Sequence, residues 1–540
     1  MLEWPDETIY RGIAAVADRS PDAPAIYFEG TETTYGELLA ESEALARGLS
    51  ALGVGPGDFL AVWLGNRPEW ITAQLAASAL GAAVVAVNTR YRRHELEYLL
   101  DDAECRAVLT ESTFLGTEYL DTLGEFVPEL RTHDPGAFTA ETVPSLETVV
   151  AIDPPEEFPA VRAYGELLDP GPVDPYDDNT APAAVFYTSG TTSDPKGCLQ
   201  SSRSLLNHSH QVGVHFDVGD DVAIGMLPFC GIWGYNVFLS ALSHGIPLVV
   251  QSHFDAERAI ELIESHDVSY CSGLATMFRR MLASDEFAPE RVDSVERGAV
   301  GFVSDGYDEA LFERIESAFG FPLVQPYGLS EANSQIFVGE PTAPVERRKR
   351  VGGPLIHPDS GAKVVDPETG DTQPPGEEGE LYVRGYNVMN RYLGKPEATE
   401  AAFVDGWLRT GDLAVRDKSG SFYYRSRLDD AIRVRGFLLA PRELEAAIET
   451  HPDVAAAAVV GIDHSRHGTV PIAYVVGEDA DADVDVAELR AYLEDRIADY
   501  KVPDEFVVVD SFPRSEGPHG RKIRKTELRD RAVERFGDGD

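Results

Sequence analysis

Basic residues are scarce in this 540-residue chain: 46 Lys and Arg stand against 92 Asp and Glu, a formal net charge of −46 at pH 7. Lysines are few, and the acid is spread along the whole chain rather than gathered in a tail. Such a surface argues against non-specific binding to nucleic acid or to an anionic membrane. It suits a protein kept soluble in molar salt, where self-repulsion is screened. The expectation is a salt-adapted cytoplasmic protein. Cysteine is equally sparse. Cys105, Cys198, Cys230 and Cys271 form no C-x-x-C pair, so neither a zinc site nor a disulfide framework is expected. No apolar run is long enough to span a bilayer, and residues 1–6 lack the basic and apolar regions of a signal peptide, so no integral membrane association is expected. What the chain does have is a normal 43% of hydrophobic residues and length enough for more than one domain.

Strand and helix patterns alternate over the first part of the chain. Glu41 to Leu52 reads as a helix ending at Gly53, Phe59 to Leu64 as a strand, Pro68 to Leu80 as a helix and Ala82 to Val87 as a strand. This is a βαβ unit, which implies parallel strands with a crossover helix. Residues 130–182 are rich in Pro, Asp and Glu and read as surface loops. Residues 340–425 change to short strands and turns, a small β-rich subdomain. Near Arg427 the chain passes into a smaller α+β tail, so the expected division is 1–426 and 427–540. The fold class read from this pattern is α/β: a large N-terminal domain of parallel αβ sheets with the β-rich subdomain, and a small α+β C-terminal domain.

Between the apolar run 183–187 and a possible helix from Ser202 to Val212 lies Thr188-Ser189-Gly190-Thr191-Thr192-Ser193-Asp194-Pro195-Lys196-Gly197. Small residues let backbone N–H groups approach phosphate oxygens, hydroxyls donate hydrogen bonds, and Lys196 supplies a point charge. The order Pro195-Lys196-Gly197 excludes a Walker A loop, which needs Gly-Lys-Ser/Thr. Further on, Tyr327-Gly328-Leu329-Ser330-Glu331 can present a ring to a purine, a hydroxyl to a phosphate and a carboxylate oxygen to Mg²⁺, although a capped turn explains those five residues equally well. Asp412, at the glycine turn Thr410-Gly411-Asp412, can accept two hydrogen bonds from a ribose diol, or serve only its own turn.

Taken in order, these strings resemble the adenylate-forming superfamily of acyl-CoA synthetases, luciferases and peptide-synthetase adenylation domains. The resemblance runs from about Thr33 to Arg529 and departs from the family pattern at Ser193, Ser426 and Arg433. It implies an ATP-phosphate loop comprising Thr188, Ser189, Gly190, Thr191, Thr192 and Lys196. It implies Tyr327, Gly328, Asp412 and Arg427 around adenine and ribose, and Ser330 and Glu331 as catalytic groups, with Glu331 on Mg²⁺. Asp429 would be a hinge, and Gly436 would leave room for pantetheine in a coenzyme A tunnel. Gly520-Arg521-Lys522-Ile523-Arg524-Lys525 matches the stretch holding the family's catalytic lysine. Aligned on Ile523 to Arg529, that lysine is Lys522 with Arg521 inserted; the other register puts Arg521 there. A lysine at this point stabilises charge on the reacting oxygens.

The largest departure is Leu227-Pro228-Phe229-Cys230-Gly231-Ile232-Trp233-Gly234. It is similar to a family stretch that lines the acyl pocket, with Cys230 in place of an aromatic residue and Gly231 in place of histidine. Cys230, Gly231 and Trp233 are therefore acyl-pocket candidates, with extra room expected at Gly231 and no nucleophilic role for Cys230. The implied reaction is AMP-forming ligation of a carboxylic acid to coenzyme A, with MgATP, coenzyme A and the acid as small-molecule partners. Two alternatives stand beside it: loading of a carrier protein in trans, and a catalytically silent nucleotide- or acyl-binding protein.

Overall fold

The computed structural model describes residues 6–188, 195–302, 308–428, 432–434, 437–439, 441–464, 468–478, 484–494, 497, 502–517 and 520–536. The chain divides into two compact units. One holds the residues up to Phe302 with Asp308–Gly361 and Arg384–Leu408; the other holds Ala362–Val383 and the chain from Arg409 onward.

Among the described residues, the first unit carries two large sheets beside several two-stranded pairs. In the eight-stranded one the order is Arg391–Tyr392, Lys196–Ser201, Pro182–Thr188, Ala83–Ala86, Phe59–Trp63, Ala107–Thr110, Thr148–Ala151 and Arg162–Ala163. The ladders from Pro182–Thr188 to Arg162–Ala163 are parallel, and the two strands at the other edge run antiparallel. The five-stranded sheet, from Tyr270–Cys271 through Ala223–Gly225, Leu248–Val250 and Pro24–Phe28 to Thr31–Thr34, is parallel except for its last strand. Helix Pro68–Leu80 begins with proline in its first turn and stops at Gly81, whose φ of +72° is left-handed. Trp70 through Ala79 are all buried. Helix Ile232–His244 is buried in the same way from Gly234 to Ser243 and stops at Gly245 with φ +76°. Helices apolar around their whole circumference belong inside a layered α/β unit, not on its surface.

The parallel α/β reading holds, and one local expectation is corrected. Residues 130–182 are not loop throughout: Thr148–Ala151 is an internal strand with every residue buried, and Arg162–Ala163 closes the sheet edge. A four-residue parallel strand leaves no periodicity, and acidic neighbours on both sides hid it. The loop after Thr188 does not lead straight into a helix. Lys196–Ser201 folds back as an antiparallel strand with Thr188 opposite Lys196, and the helix Ser202–His215 begins only after it.

In the second unit, residues 412–416 pair antiparallel with Phe422–Arg427. Val454–His464 pairs antiparallel with Gly468–Gly477, which takes Glu505–Val508 as a parallel neighbour. Period-two alternation splits this sheet between two cores. Ala457 and Val459 pack with Leu444, Ile448 and Leu489, while Ala458 and Val460 pack with Phe512, Leu528 and Ala532.

Candidate functional site

Ser189, Gly190, Thr191 and Thr192 lie outside the described residues, as do Asp429 and Gly436. The flanks of the loop are described. Thr188 ends one strand and Lys196 starts the next, and the Thr188 hydroxyl lies 3.4 Å from the Lys196 carbonyl oxygen. The candidate phosphate loop is therefore the tip of a β-hairpin. Its exit strand is covered by Arg391–Tyr392, with Cys198 opposite Tyr392.

That short edge strand brings distant residues together. The Lys196 ammonium lies 5.4 Å from the centroid of the Tyr392 ring. The Tyr392 hydroxyl donates to Glu331 Oε1 at 2.8 Å, and Met389 N–H donates to the Glu331 carbonyl oxygen at 2.8 Å. Gln200, on the hairpin's exit strand, donates from Nε2 to the Ser330 carbonyl oxygen at 2.7 Å. Lysine, tyrosine and carboxylate thus stand in file at the base of the hairpin. Cys198 is buried among them; burial, then the Glu331 charge, push its thiol well above the usual range, so it is an inert core residue. Tyr392 falls within the stretch 340–425 read from the sequence as a β-rich subdomain, and its bond to Glu331 was missed; nothing in the local sequence marks it.

The turn carrying Tyr327 and Glu331 is built under constraint. A Cβ on Gly328 would stand 2.1 Å from the Ser334 carbonyl carbon and 2.4 Å from Gln335 N, so only glycine lets the chain fold back on itself here. Tyr327 is buried, its ring centroid 5.8 Å from that of Phe337 across the Pro326–Tyr327/Phe337–Val338 pair. Ser330–Ala332 forms one 3₁₀ turn, and Asn333 and Ser334 follow with φ of +63° and +56°. Two consecutive left-handed residues with side chains need support. Asn333 Nδ2 donates to Ser204 Oγ and, at 3.1 Å, to the Asn387 carbonyl oxygen. Asn236 Nδ2 donates to the Asn333 carbonyl oxygen at 2.6 Å and to Ser334 Oγ at 3.0 Å.

Asn236 belongs to helix Ile232–His244, whose N-cap is Gly231. The acyl-pocket candidates Cys230, Gly231 and Trp233 therefore sit at the start of a helix whose next turn grips the segment after Glu331. A Cβ on Gly234 would lie 2.2 Å from the Pro228 carbonyl oxygen, which explains that glycine. Asn66 shapes the preceding turn, accepting from Phe229 N at 2.8 Å and donating to the Leu227 carbonyl oxygen at 2.9 Å. Burial raises the Cys230 thiol to about 11, against a nucleophilic role.

In the second unit, Asp412 and Arg427 face each other across the ladder, and Arg427 Nη1 donates to Asp412 Oδ1 at 2.9 Å. Gly411 has φ +67°, and Asp412 N–H donates to Thr410 Oγ1 at 3.1 Å. Lys522 lies on the strand Gly520–Ile523, opposite Ser515; its side chain is outside the described residues. Lys525, three residues on, donates to Glu445 Oε1 at 2.6 Å.

The profile of AMP-binding enzymes matches residues 13–393, and that of the AMP-binding enzyme C-terminal domain matches 443–517. The chain belongs to the AMP-binding enzyme family. Within it, the chain is 31% identical to a mitochondrial medium-chain acyl-CoA ligase of Danio rerio over 98% of its own length and 89% of the relative's. It is also 31% identical to a 2-succinylbenzoate–CoA ligase of Bacillus velezensis over 98% of this chain and 99% of that one. The solved structure of Bacillus subtilis o-succinylbenzoate coenzyme A synthetase with ATP and magnesium ion superposes with a TM-score of 0.76, at 28% identity over 95% of this chain and 98% of that one. This AMP-binding enzyme is thus an acid–thiol ligase of the acyl-CoA synthetase type. Among its described residues, no helix is long and apolar enough to cross a membrane.

Proposed function

We propose that this ligase activates a carboxylic acid with MgATP and passes the acyl group to coenzyme A. A carboxylate oxygen attacks the α-phosphorus, the bond to the β-bridging oxygen breaks, and pyrophosphate leaves. The thiol of coenzyme A then gives up its proton, its sulfur bonds to the acyl carbon, and AMP departs. The observation that carries this reading is the file of Lys196, Tyr392 and Glu331 at the base of the hairpin, which sets a cation and an oriented carboxylate beside the loop. Lys196, with Thr188, Ser189, Gly190, Thr191 and Thr192, would hold the phosphates, and Tyr327, Gly328, Asp412 and Arg427 the adenosine. Tyr392 orients Glu331 for Mg²⁺. Among the described residues no group of three or more His, Cys, Asp or Glu could form a protein cage for a metal. A lone carboxylate fits Mg²⁺, which keeps its waters and binds largely through substrate phosphates. When bound, the ion neutralises phosphate charge.

Lys522 would stabilise charge on the reacting oxygens of the first step, and motion about Asp429 would then exchange it for the Gly436 side of the tunnel. The test is pyrophosphate release in molar KCl across a panel of acids, with and without coenzyme A. Release that rises with coenzyme A and yields a thioester is expected; adenylate without thioester would move the acceptor to a carrier protein, and silence from folded protein would leave a binding protein. Lys522→Ala should cut release by about 100-fold or more while sparing thioester formation from supplied acyl-adenylate. If Arg521→Ala does this instead, the other register is right. In the same panel Gly231→His should narrow the range of acids accepted; an unchanged preference would remove Gly231 from the pocket.

A further inference from the structure

The hairpin that carries the phosphate loop is braced on both flanks by one carboxylate from elsewhere in the chain. Asp102 ends the helix Arg93–Asp102, and its side chain is 9% exposed. Its Oδ2 accepts from the Tyr187 hydroxyl at 2.8 Å, and Tyr187 is the residue before Thr188 on the strand entering the loop. Its Oδ1 accepts from the Lys395 ammonium at 2.6 Å. One helical turn before Asp102, the Tyr98 hydroxyl donates to the carbonyl oxygen of Pro195, the last loop residue before Lys196, at 2.9 Å, with Asp102 Oδ1 3.4 Å away. The rings of Tyr98 and Tyr187 meet edge to face at 6.5 Å, and the Lys395 ammonium lies 6.0 Å from the Tyr98 ring centroid.

We propose that Asp102 is a positioning residue that, through Tyr187 on one side and Tyr98 on the other, fixes the spacing of the two ends of the phosphate loop and so sets affinity for the triphosphate. The physical reason is that fixing chain segments in place on binding costs affinity. Clamping both ends removes part of that cost in advance. Lys395 pairs with the carboxylate and lies three residues after Tyr392, so the clamp and the Glu331 holder sit on one short segment. The proposal rests on the loop's assignment as the triphosphate cradle.

The test compares ATP and AMP, because AMP has no β- or γ-phosphate for the loop to hold. In the full-length enzyme, Tyr98→Phe removes only the hydroxyl on Pro195. It should weaken ATP binding and raise the KM for ATP by about tenfold, with little change in kcat or in AMP affinity. Asp102→Ala should do more, and Asp102→Asn, which keeps an acceptor for Tyr187, should recover part of the loss. Unchanged ATP affinity in both Tyr98→Phe and Asp102→Asn overturns the proposal, as does an equal fall in ATP and AMP affinity. If no acid supports pyrophosphate release, the ligase assignment fails, while the direct ATP and AMP titrations still decide the clamp.

Discussion

At the scale of single residues, the backbone after Glu331 carries two consecutive left-handed residues with side chains. Asn333 has a left-handed φ, is fully buried, and joins Ser204, Asn236 and the Asn387 carbonyl oxygen. Asn333→Ala removes the side-chain bonds and also puts a residue with little tolerance for the left-handed region there. Asn333→Gly loses the same bonds but relaxes the backbone. Both should lower the thermal midpoint, with alanine worse by about 1 kcal/mol; a glycine variant as unstable as the alanine one would show that the φ angle costs nothing. Gly328, Ser330 and Glu331 were legible as a motif because they are contiguous. Asn333 and Tyr392 were not, since their partners lie on other segments and neither type is distinctive.

At the scale of elements, helix Ser202–His215 carries buried imidazoles along its length. His208 Nδ1 is 3.0 Å from His357 Nε2, and His357 Nδ1 is 2.9 Å from the Tyr386 hydroxyl. The rings of His210 and His244 stack at 4.2 Å. Burial holds all of them neutral: His357 falls to about 3, with His215 adding to the shift, His210 falls to about 4, and His208, His215 and His244 fall as well. In the unfolded chain each returns to about 6.5. Below that value the unfolded state binds more protons than the native one. Their contribution to stability is thus complete above about pH 6.5 and is lost as pH falls toward the folded values, at about 1.4 kcal/mol per pH unit for each proton taken up. Thermal midpoints between about pH 7 and 4 should fall steeply in the wild type and less steeply in His357→Gln; parallel profiles would show that other groups govern the acid limb. The helix itself was legible from Ser202 to Val212, and the histidine pairing was not, because His208 and His357 are 149 residues apart.

At the scale of the whole molecule, the net charge of −46 dominates. Many arginines are paired with carboxylates, as in Arg67 with Glu69 and Glu111, but 92 acids against 46 bases leave a large excess of acidic charge. Raising salt from about 0.1 to about 1 M shortens the screening length from about 10 to about 3 Å. The thermal midpoint should therefore climb with KCl; a flat or falling midpoint would sink salt adaptation, since exposed ion pairs alone are weakened by salt.

The alternating periodicities determined the parallel α/β class, and the ordered strings at Thr188–Lys196, Tyr327–Glu331 and Thr410–Asp412 carried the family resemblance, because both are local in the chain. Pro68–Leu80 ends where the sequence pattern ends, at a left-handed glycine. Tertiary structure alone decided that the strands flanking the candidate phosphate loop pair as a hairpin, that Tyr392 holds Glu331, and that Asp102 braces both flanks of the loop. The Tyr392–Glu331 and Tyr187–Asp102 bonds join residues 61 and 85 apart, and the Lys395–Asp102 pair joins residues 293 apart. Pairings of common residue types across such distances have no signature in one sequence, and they exist only once the sheet order has brought the strands side by side.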